Sequence, residues 1–271
     1  MKGVTTKRAK QRGKTVAVFG GVHGNERVGI EAVRWAAKNV VPARGTIHFV
    51  EANPEAIKKR VRMIKVNLNR RFLKTNKAQT PVDRRARELM KLLDSCDALL
   101  DIHSSNSRDA ASFVICEKEA VKLAKLLDFP IVSTGWDAVE PGGTDGYMHR
   151  NGKLALGVEC GSAFSAKKNL PRAKKTILQF LRYFDVIDEA PAYSRKKKRH
   201  IRVHDIAIKN SDSFAFTMPL EDFDLLPDGK VFAREGKKIY KAKKKEVIIF
   251  PRPKTAIGNE VFLLGKELRP V

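Results

Sequence analysis

The sequence predicts an α/β protein: a mixed, mostly parallel sheet flanked by helices, followed by a small β-rich C-terminal domain. Three observations predict it. Short apolar runs alternate with amphipathic stretches of helical period as far as residue 186, the pattern of repeated strand–helix–strand units. The runs at 16–19, 98–102 and 154–158 are almost continuously apolar, as in strands covered on both faces. After the basic stretch 195–199 the pattern changes: segments are short, turns are frequent and no amphipathic helix is evident. We therefore divide the chain into a basic, flexible N-terminus (1–14), a main domain (15–190) and a small β-rich domain (191–271).

Taken in order, residues 1–14 carry six basic side chains and are expected to fray. Residues 15–19 read as the first strand, ending in Gly20-Gly21. Residues 26–39 read as a helix, with Ile30, Val33 and Ala37 on one face. A turn at 41–45 leads to a second strand at 46–51. Residues 58–81 are polar, basic and weakly periodic, and read as a long functional loop. A helix at 82–93 presents Ala86, Leu89, Met90 and Leu93, and the strand 97–102 runs straight into His103. Further strands are expected at 112–116, 130–133 and 153–159. Further helices are expected at 117–127 and 170–186, with a turn at 141–145 capping a short helix.

Composition narrows the functional classes. The chain has 271 residues, 42% hydrophobic and 7% aromatic, which fits a globular protein with a large core. It contains no apolar run long enough to span a membrane and no apolar segment behind the basic N-terminus of the kind a secretory signal needs. Three cysteines (Cys96, Cys116, Cys160) are odd in number and lack Cys-x-x-Cys spacing, so a disulfide framework is not expected and a reducing cytoplasm is. The net charge of +24 admits three readings: a lysine-rich solvated surface, steering of small anions, or contact with nucleic acid. No stacking-aromatic motif or recognisable nucleic-acid module accompanies the basic stretches 2–14, 195–199 and 237–245.

The chemistry-bearing residues lie at strand ends. His23 and Glu26 sit on the turn leaving the carboxyl end of the first buried strand, where open α/β sheets place their ligand crevice. They are two members of a His₂Glu zinc set. His103, 77 residues after Glu26, repeats the placement at the end of another apolar strand, and Asp101 on the same strand face can orient its imidazole. A lone histidine is more often a packed structural residue; the His-x-x-Glu unit together with a second strand-end His shifts the balance to ligands. Glu159 ends the strand at 153–159; beside a zinc site this carboxylate becomes the general base for a metal-activated water. Arg62 and the stretch Asn67-Leu68-Asn69-Arg70-Arg71-Phe72 offer guanidinium forks and amides suited to carboxylates.

In register, Gly20-Gly21-Val22-His23-Gly24-Asn25-Glu26, Arg62, Asn69-Arg70, Asp101-Ile102-His103 and Glu159 followed by Gly161 resemble the succinylglutamate desuccinylase/aspartoacylase family, deacylase relatives of the zinc carboxypeptidases. The resemblance spans 15–165, with a looser one in Asp228-Gly229-Lys230-Val231 and Glu246-Val247-Ile248-Ile249-Phe250-Pro251 to the family's second domain. It implies a zinc-peptidase-like fold and one Zn²⁺ held by His23, Glu26 and His103. It also implies Arg62 as the carbonyl-polarising group, Asn69 and Arg70 as the grip on an amino acid carboxylate, and Glu159 as base. Aspartoacylases carry an arginine about ten residues before the base; Arg150, one position out of that register, is the matching candidate for the acyl carboxylate. Two features depart from the family: Asn67 stands where Asp is common, and Ser104-Ser105-Asn106 follows neither subgroup. The implied activity is hydrolysis of a small N-acyl amino acid at its linear amide. A zinc carboxypeptidase acting on a peptide or peptidoglycan end, a metal-binding relative without turnover, and a basic nucleic-acid-binding protein are the alternatives.

Overall fold

The computed structural model describes residues 1–105, 107 and 110–271; Asn106, one of the departures noted above, lies outside them. The apolar runs become the strands β1 (Val4–Arg8), β2 (Gln11–Gly20), β3 (Arg44–Glu51), β4 (Ala98–Ser105), β5 (Ser112–Cys116), β6 (Ile131–Thr134), β7 (Leu154–Ser162) and β8 (Arg199–Ile208). They continue as β9 (Ala215–Phe216), β10 (Val231–Glu235), β11 (Lys238–Lys241), β12 (Glu246–Ile249) and β13 (Glu260–Glu267). The helices are α1 (Arg27–Asn39), α2 (Pro54–Lys59), α3 (Pro81–Asp94), α4 (Val121–Ala124), α5 (Trp136–Val139), α6 (Thr144–Arg150) and α7 (Ala166–Tyr183).

Ten strands form one sheet in the order β1-β3-β2-β4-β7-β5-β6-β8-β13-β12. The central pairs β3/β2, β2/β4 and β4/β7 are parallel, β5 runs antiparallel to β7, and β6 is parallel to both β5 and β8. The sheet is mixed and mostly parallel at its centre, as the continuous apolar runs predict. Successive residues of β2 serve opposite faces. Val16 and Val18 pack with α1 and α7 through Val28, Ala32, Ile177 and Phe180. Ala17 and Phe19 pack with α3 through Ala86, Leu89 and Leu93. Burial of such side chains is worth about 1.5–3 kcal/mol each, which explains why the covered half of β2, Val16–Phe19, carries no polar side chain on either face.

The N-terminus departs from expectation. Rather than fraying, Val4–Arg8 pair antiparallel with β3 at the sheet edge, and β2 begins at Gln11. Lysine and threonine on a short edge strand are the usual protection of an unpaired edge, and that polarity hides the strand from a hydrophobic-period reading. The expected helix at 117–127 is reduced to a 3₁₀ turn (Lys118–Ala120) and the single turn of α4. Within the 58–81 loop, a 3₁₀ turn (Leu68–Arg70) forms, and Leu68 and Phe72 are fully buried, which anchors the segment on the sheet.

The C-terminal part is β-rich and is joined to the main sheet. Strand β8 pairs with β6, and β13 and β12 follow antiparallel. Strands β9–β11 form a separate three-stranded sheet. An aromatic cluster ties this part to the main sheet: Phe113 of β5 packs against Trp136 at 5.9 Å, Phe223 at 4.8 Å and Phe250 at 5.9 Å between ring centroids. No helix among the described residues is long and apolar enough to cross a membrane.

Candidate active site

The turn between β2 and α1 owes its shape to glycine. Gly21 has φ +71°, a region disfavoured for residues with a side chain. A Cβ on Gly29, in the first turn of α1, would lie 2.2 Å from the carbonyl oxygen of Ile102. The helix start is thus pressed onto the ends of β2 and β4, which brings Glu26 to His103.

His23, Glu26 and His103 are all buried, and one donor atom from each lies within 4.8 Å of the others. His23 Nδ1 is 2.7 Å from Glu26 Oε1, and His103 Nδ1 is 3.0 Å from Glu26 Oε2. Both imidazoles turn the same nitrogen to the centre. The other nitrogens have acceptors: His23 Nε2 lies 3.0 Å from Asn67 Oδ1, and His103 Nε2 lies 3.1 Å from Asp101 Oδ2. Outer partners of this kind fix the tautomer and ring orientation of a metal-binding histidine. Asn67, the departure from Asp, therefore supplies an acceptor in the same place and also receives Asn69 N at 2.9 Å. Thr144 Oγ1 donates to Asp101 Oδ2 at 2.5 Å and holds that carboxylate against His103.

The electrostatics follow from the packing. Burial opposes charge on Glu26, but His23 and His103 outweigh it and hold the carboxyl well below the usual range. Burial pushes the His23 pKa down. On His103 burial also opposes the charge, yet Asp101 and Glu26 dominate and raise the pKa well above its ordinary value. The group is thus organised around positive charge between carboxylates. Two neutral imidazole nitrogens with one carboxylate are the donor set of a catalytic zinc site, and the donor spacing and the engaged outer nitrogens fit such an ion.

Glu159 stands on β7 in register with His103 on β4. Its side chain keeps part of its surface open to the cavity, while Oε2 is shielded and has no hydrogen-bond partner among the described residues. Burial, then the charge of Glu26, pushes its pKa up to about 7. Arg62, from the loop after α2, donates from Nη1 to Glu26 Oε1 at 3.0 Å and reaches the same cavity. Asn69 and Arg70 line it from the 3₁₀ turn, with Asn69 Oδ1 accepting from Thr144 N at 3.2 Å.

Arg150 is a correction. The structure places it at the end of α6, outside the cavity lining, with its guanidinium on Asp137 and on Phe72 O at 2.9 Å. Those acceptors outcompete the open cavity for its donors. The cavity's additional arginine is Arg252, from the C-terminal part, accompanied by Phe250 and Glu260; Glu140 and Asp145 complete its acidic lining. Burial raises the Asp145 pKa to about 6. These residues come from segments remote in sequence. The available signals were the Gly-rich turn after Glu140, whose Gly142 packs on the Arg70 backbone, and the Phe250-Pro251-Arg252 continuation of β12.

The comparisons with known proteins identify the family and the fold. Residues 12–184 match the family model of the succinylglutamate desuccinylase/aspartoacylase catalytic domain, and residues 199–267 match that of the AstE/AspA barrel-sandwich hybrid domain. The chain is 28% identical over 287 residues to a succinylglutamate desuccinylase of Shewanella baltica, covering 94% of this chain and 83% of that protein. An aspartoacylase of Danio rerio is 29% identical over 121 residues, covering 39% of this chain and 38% of that protein. Among solved structures, a succinylglutamate desuccinylase from Vibrio cholerae has a TM-score of 0.81 at 22% identity, covering 98% of this chain and 86% of that one. The product-bound ectoine utilization protein EutE (DoeB) from Ruegeria pomeroyi has a TM-score of 0.76 at 20% identity, covering 97% and 88%. With the catalytic-domain model spanning well over half of the sequence, the chain belongs to the succinylglutamate desuccinylase/aspartoacylase family.

Proposed function

We propose that the chain is a zinc-dependent deacylase that hydrolyses the amide bond of an N-acyl amino acid, giving a carboxylic acid and a free amino acid. One observation carries the reading: a buried His₂Glu donor set and the Glu159 carboxylate, whose Oε2 is shielded and has no hydrogen-bond partner among the described residues, line one cavity that also holds Arg62, Asn69 and Arg70. The desuccinylase and aspartoacylase names of the relatives support the same reaction class.

A zinc ion held by His23, Glu26 and His103 would supply an acidified water and a Lewis acid for the scissile carbonyl. The chain's own residues do the rest. The Glu159 carboxylate, through the part of it open to the cavity, takes the proton of the attacking water and returns it to the departing amine nitrogen. A carboxyl raised to about 7 can both accept and release a proton near neutrality, which is what a base that then acts as acid requires. Arg62 donates to the carbonyl oxygen as its negative charge develops. Asn69 and Arg70 hold the substrate carboxylate and so fix the amide against Glu159.

The test is release of free amine from a panel of N-acetyl and N-succinyl amino acids by zinc-loaded protein. Turnover of at least one member, abolished by a chelator and restored by zinc, is expected. No turnover of any member by zinc-loaded, folded protein contradicts the proposal.

A further inference from the structure

The outer nitrogens of both histidines lead, by two separate routes, to one residue of the 3₁₀ turn. On the first route His23 Nε2 lies 3.0 Å from Asn67 Oδ1, and that same oxygen accepts from Asn69 N at 2.9 Å. A backbone N–H can only donate, so the Asn67 atom is an acceptor and His23 Nε2 carries the proton that meets it. On the second route His103 Nε2 lies 3.1 Å from Asp101 Oδ2, which accepts from Thr144 Oγ1 at 2.5 Å. Thr144 is buried, and its backbone N donates to Asn69 Oδ1 at 3.2 Å. Glu26 joins the two histidines on the inner side, through Nδ1 of each. The contacts close into a ring, with the metal-ready group at one pole and Asn69 at the other. Arg70, next to Asn69 in the same turn, lies outside the ring: its guanidinium goes to Glu140 and to the Asn69 carbonyl.

We infer that Asn67 and Thr144 are positioning residues that couple zinc binding at one end of the site to the carboxylate grip of Asn69 at the other. The inference rests on the deacylase reading and names what holds its two halves together. A metal ion takes the lone pair of each Nδ1, which leaves the ring proton on each Nε2. Asn67 and Asp101 are placed to accept those protons, so they favour the tautomer that the ion needs. An imidazole whose Nδ1 gives up electron density is in turn a stronger donor at Nε2, and hydrogen bonds in a chain reinforce one another. The firmer outer bonds fix Asn67 and Asp101, then the backbone N of Asn69 through the one and Thr144 through the other. Thr144 N holds the Asn69 amide from the far side. Coupling of this kind is reciprocal: whatever orders Asn69 also favours the ion, and whatever frees it disfavours the ion.

Zinc alone is the probe. Its dissociation constant is measured on the full chain by competition with a chromophoric chelator, with circular dichroism as the check on folding. Thr144→Val keeps the backbone N–H and removes only the bond to Asp101, and Asn67→Leu opens the other arm of the ring. Each should weaken zinc binding by about tenfold or more, the usual effect of losing an outer partner. Thr144→Ser and Asn67→Asp retain the bonds and should not weaken it by more than about threefold. The decisive pair lies in the turn itself. Asn69→Ala contributes no change to the three donor groups, yet should weaken zinc binding by about fivefold or more. Arg70→Met, one residue on and outside the ring, should not weaken it. Equal weakening by Asn69→Ala and Arg70→Met would mean general loosening of the turn and overturns the inference. An unchanged constant in folded Thr144→Val or Asn67→Leu overturns it as well, and both results leave the deacylase reading standing. If Thr144→Val or Asn67→Leu fails to fold, the Asn69→Ala and Arg70→Met pair decides alone. A wild-type chain that binds no zinc removes the deacylase reading and the inference with it.

Discussion

Glu159→Gln should abolish turnover while leaving zinc bound. The side chain lies on β7 opposite His103 and contributes no donor to the His23–Glu26–His103 group, so the amide replacement keeps shape and metal site and removes only the proton acceptor. Loss of a positioned general base lowers rates by about 10²–10⁴-fold. A stability signature should accompany it in chelator-treated protein. The Glu159 pKa is raised from 4.5 to about 7 by burial, with Glu26 adding to it. Below pH 4.5 both folded and unfolded chains hold the proton, and the carboxyl imposes no penalty. As pH rises from there through about 7, the unfolded chain ionises first and the folded state loses stability relative to it. Glutamine has no such term. Glu159→Gln should therefore be more stable than the wild type at pH 8, by roughly 1–3 kcal/mol, with the difference vanishing near pH 4. Calorimetry across pH reads this directly, and a gap independent of pH would remove the case for a strained, buried carboxylate.

Arg62→Ala should lower kcat by about a hundredfold or more, the usual consequence of deleting one donor to a developing oxyanion. Its Nη1 donates to Glu26 Oε1, which sets the guanidinium at the rim of the donor group, and the side chain lines the cavity. The loss should appear in kcat more than in KM, and Arg62→Lys should recover part of it, because a point charge replaces some but not all of the planar donor. A KM-only effect would reassign Arg62 to substrate binding.

That His23, Glu26 and His103 come together was readable from sequence for a physical reason. His23, Glu26 and His103 each follow an apolar run, and a buried strand that ends in a titratable side chain has few other uses for it. Glu159 was legible on the same ground. Arg252, Glu260 and Glu140 were not, because the Gly-rich turn after Glu140 and the Phe250-Pro251-Arg252 stretch mark loops without marking their destination: these residues meet only after β8, β13 and β12 have extended the sheet past β6 and carried the 250–260 segment over the cavity. Arg150 shows the opposite failure. Spacing to Glu159 placed it near the site along the chain, but α6 directs its guanidinium to Asp137 and the Phe72 carbonyl. The edge strand Val4–Arg8 was hidden by its own protective charge, since lysine and arginine there erase the apolar alternation that identifies a strand.

The most direct test of the account is the zinc content of purified protein, measured by elemental analysis for the wild type and for His103→Ala after equilibration with zinc and removal of the excess. The account predicts about one zinc per chain in the wild type, as a single three-ligand site requires, and its loss in the variant while the fold is retained. A wild-type chain that takes up no zinc, or a His103→Ala chain that keeps it in full, would contradict the assignment of His23, Glu26 and His103 as the metal site on which the proposed chemistry stands.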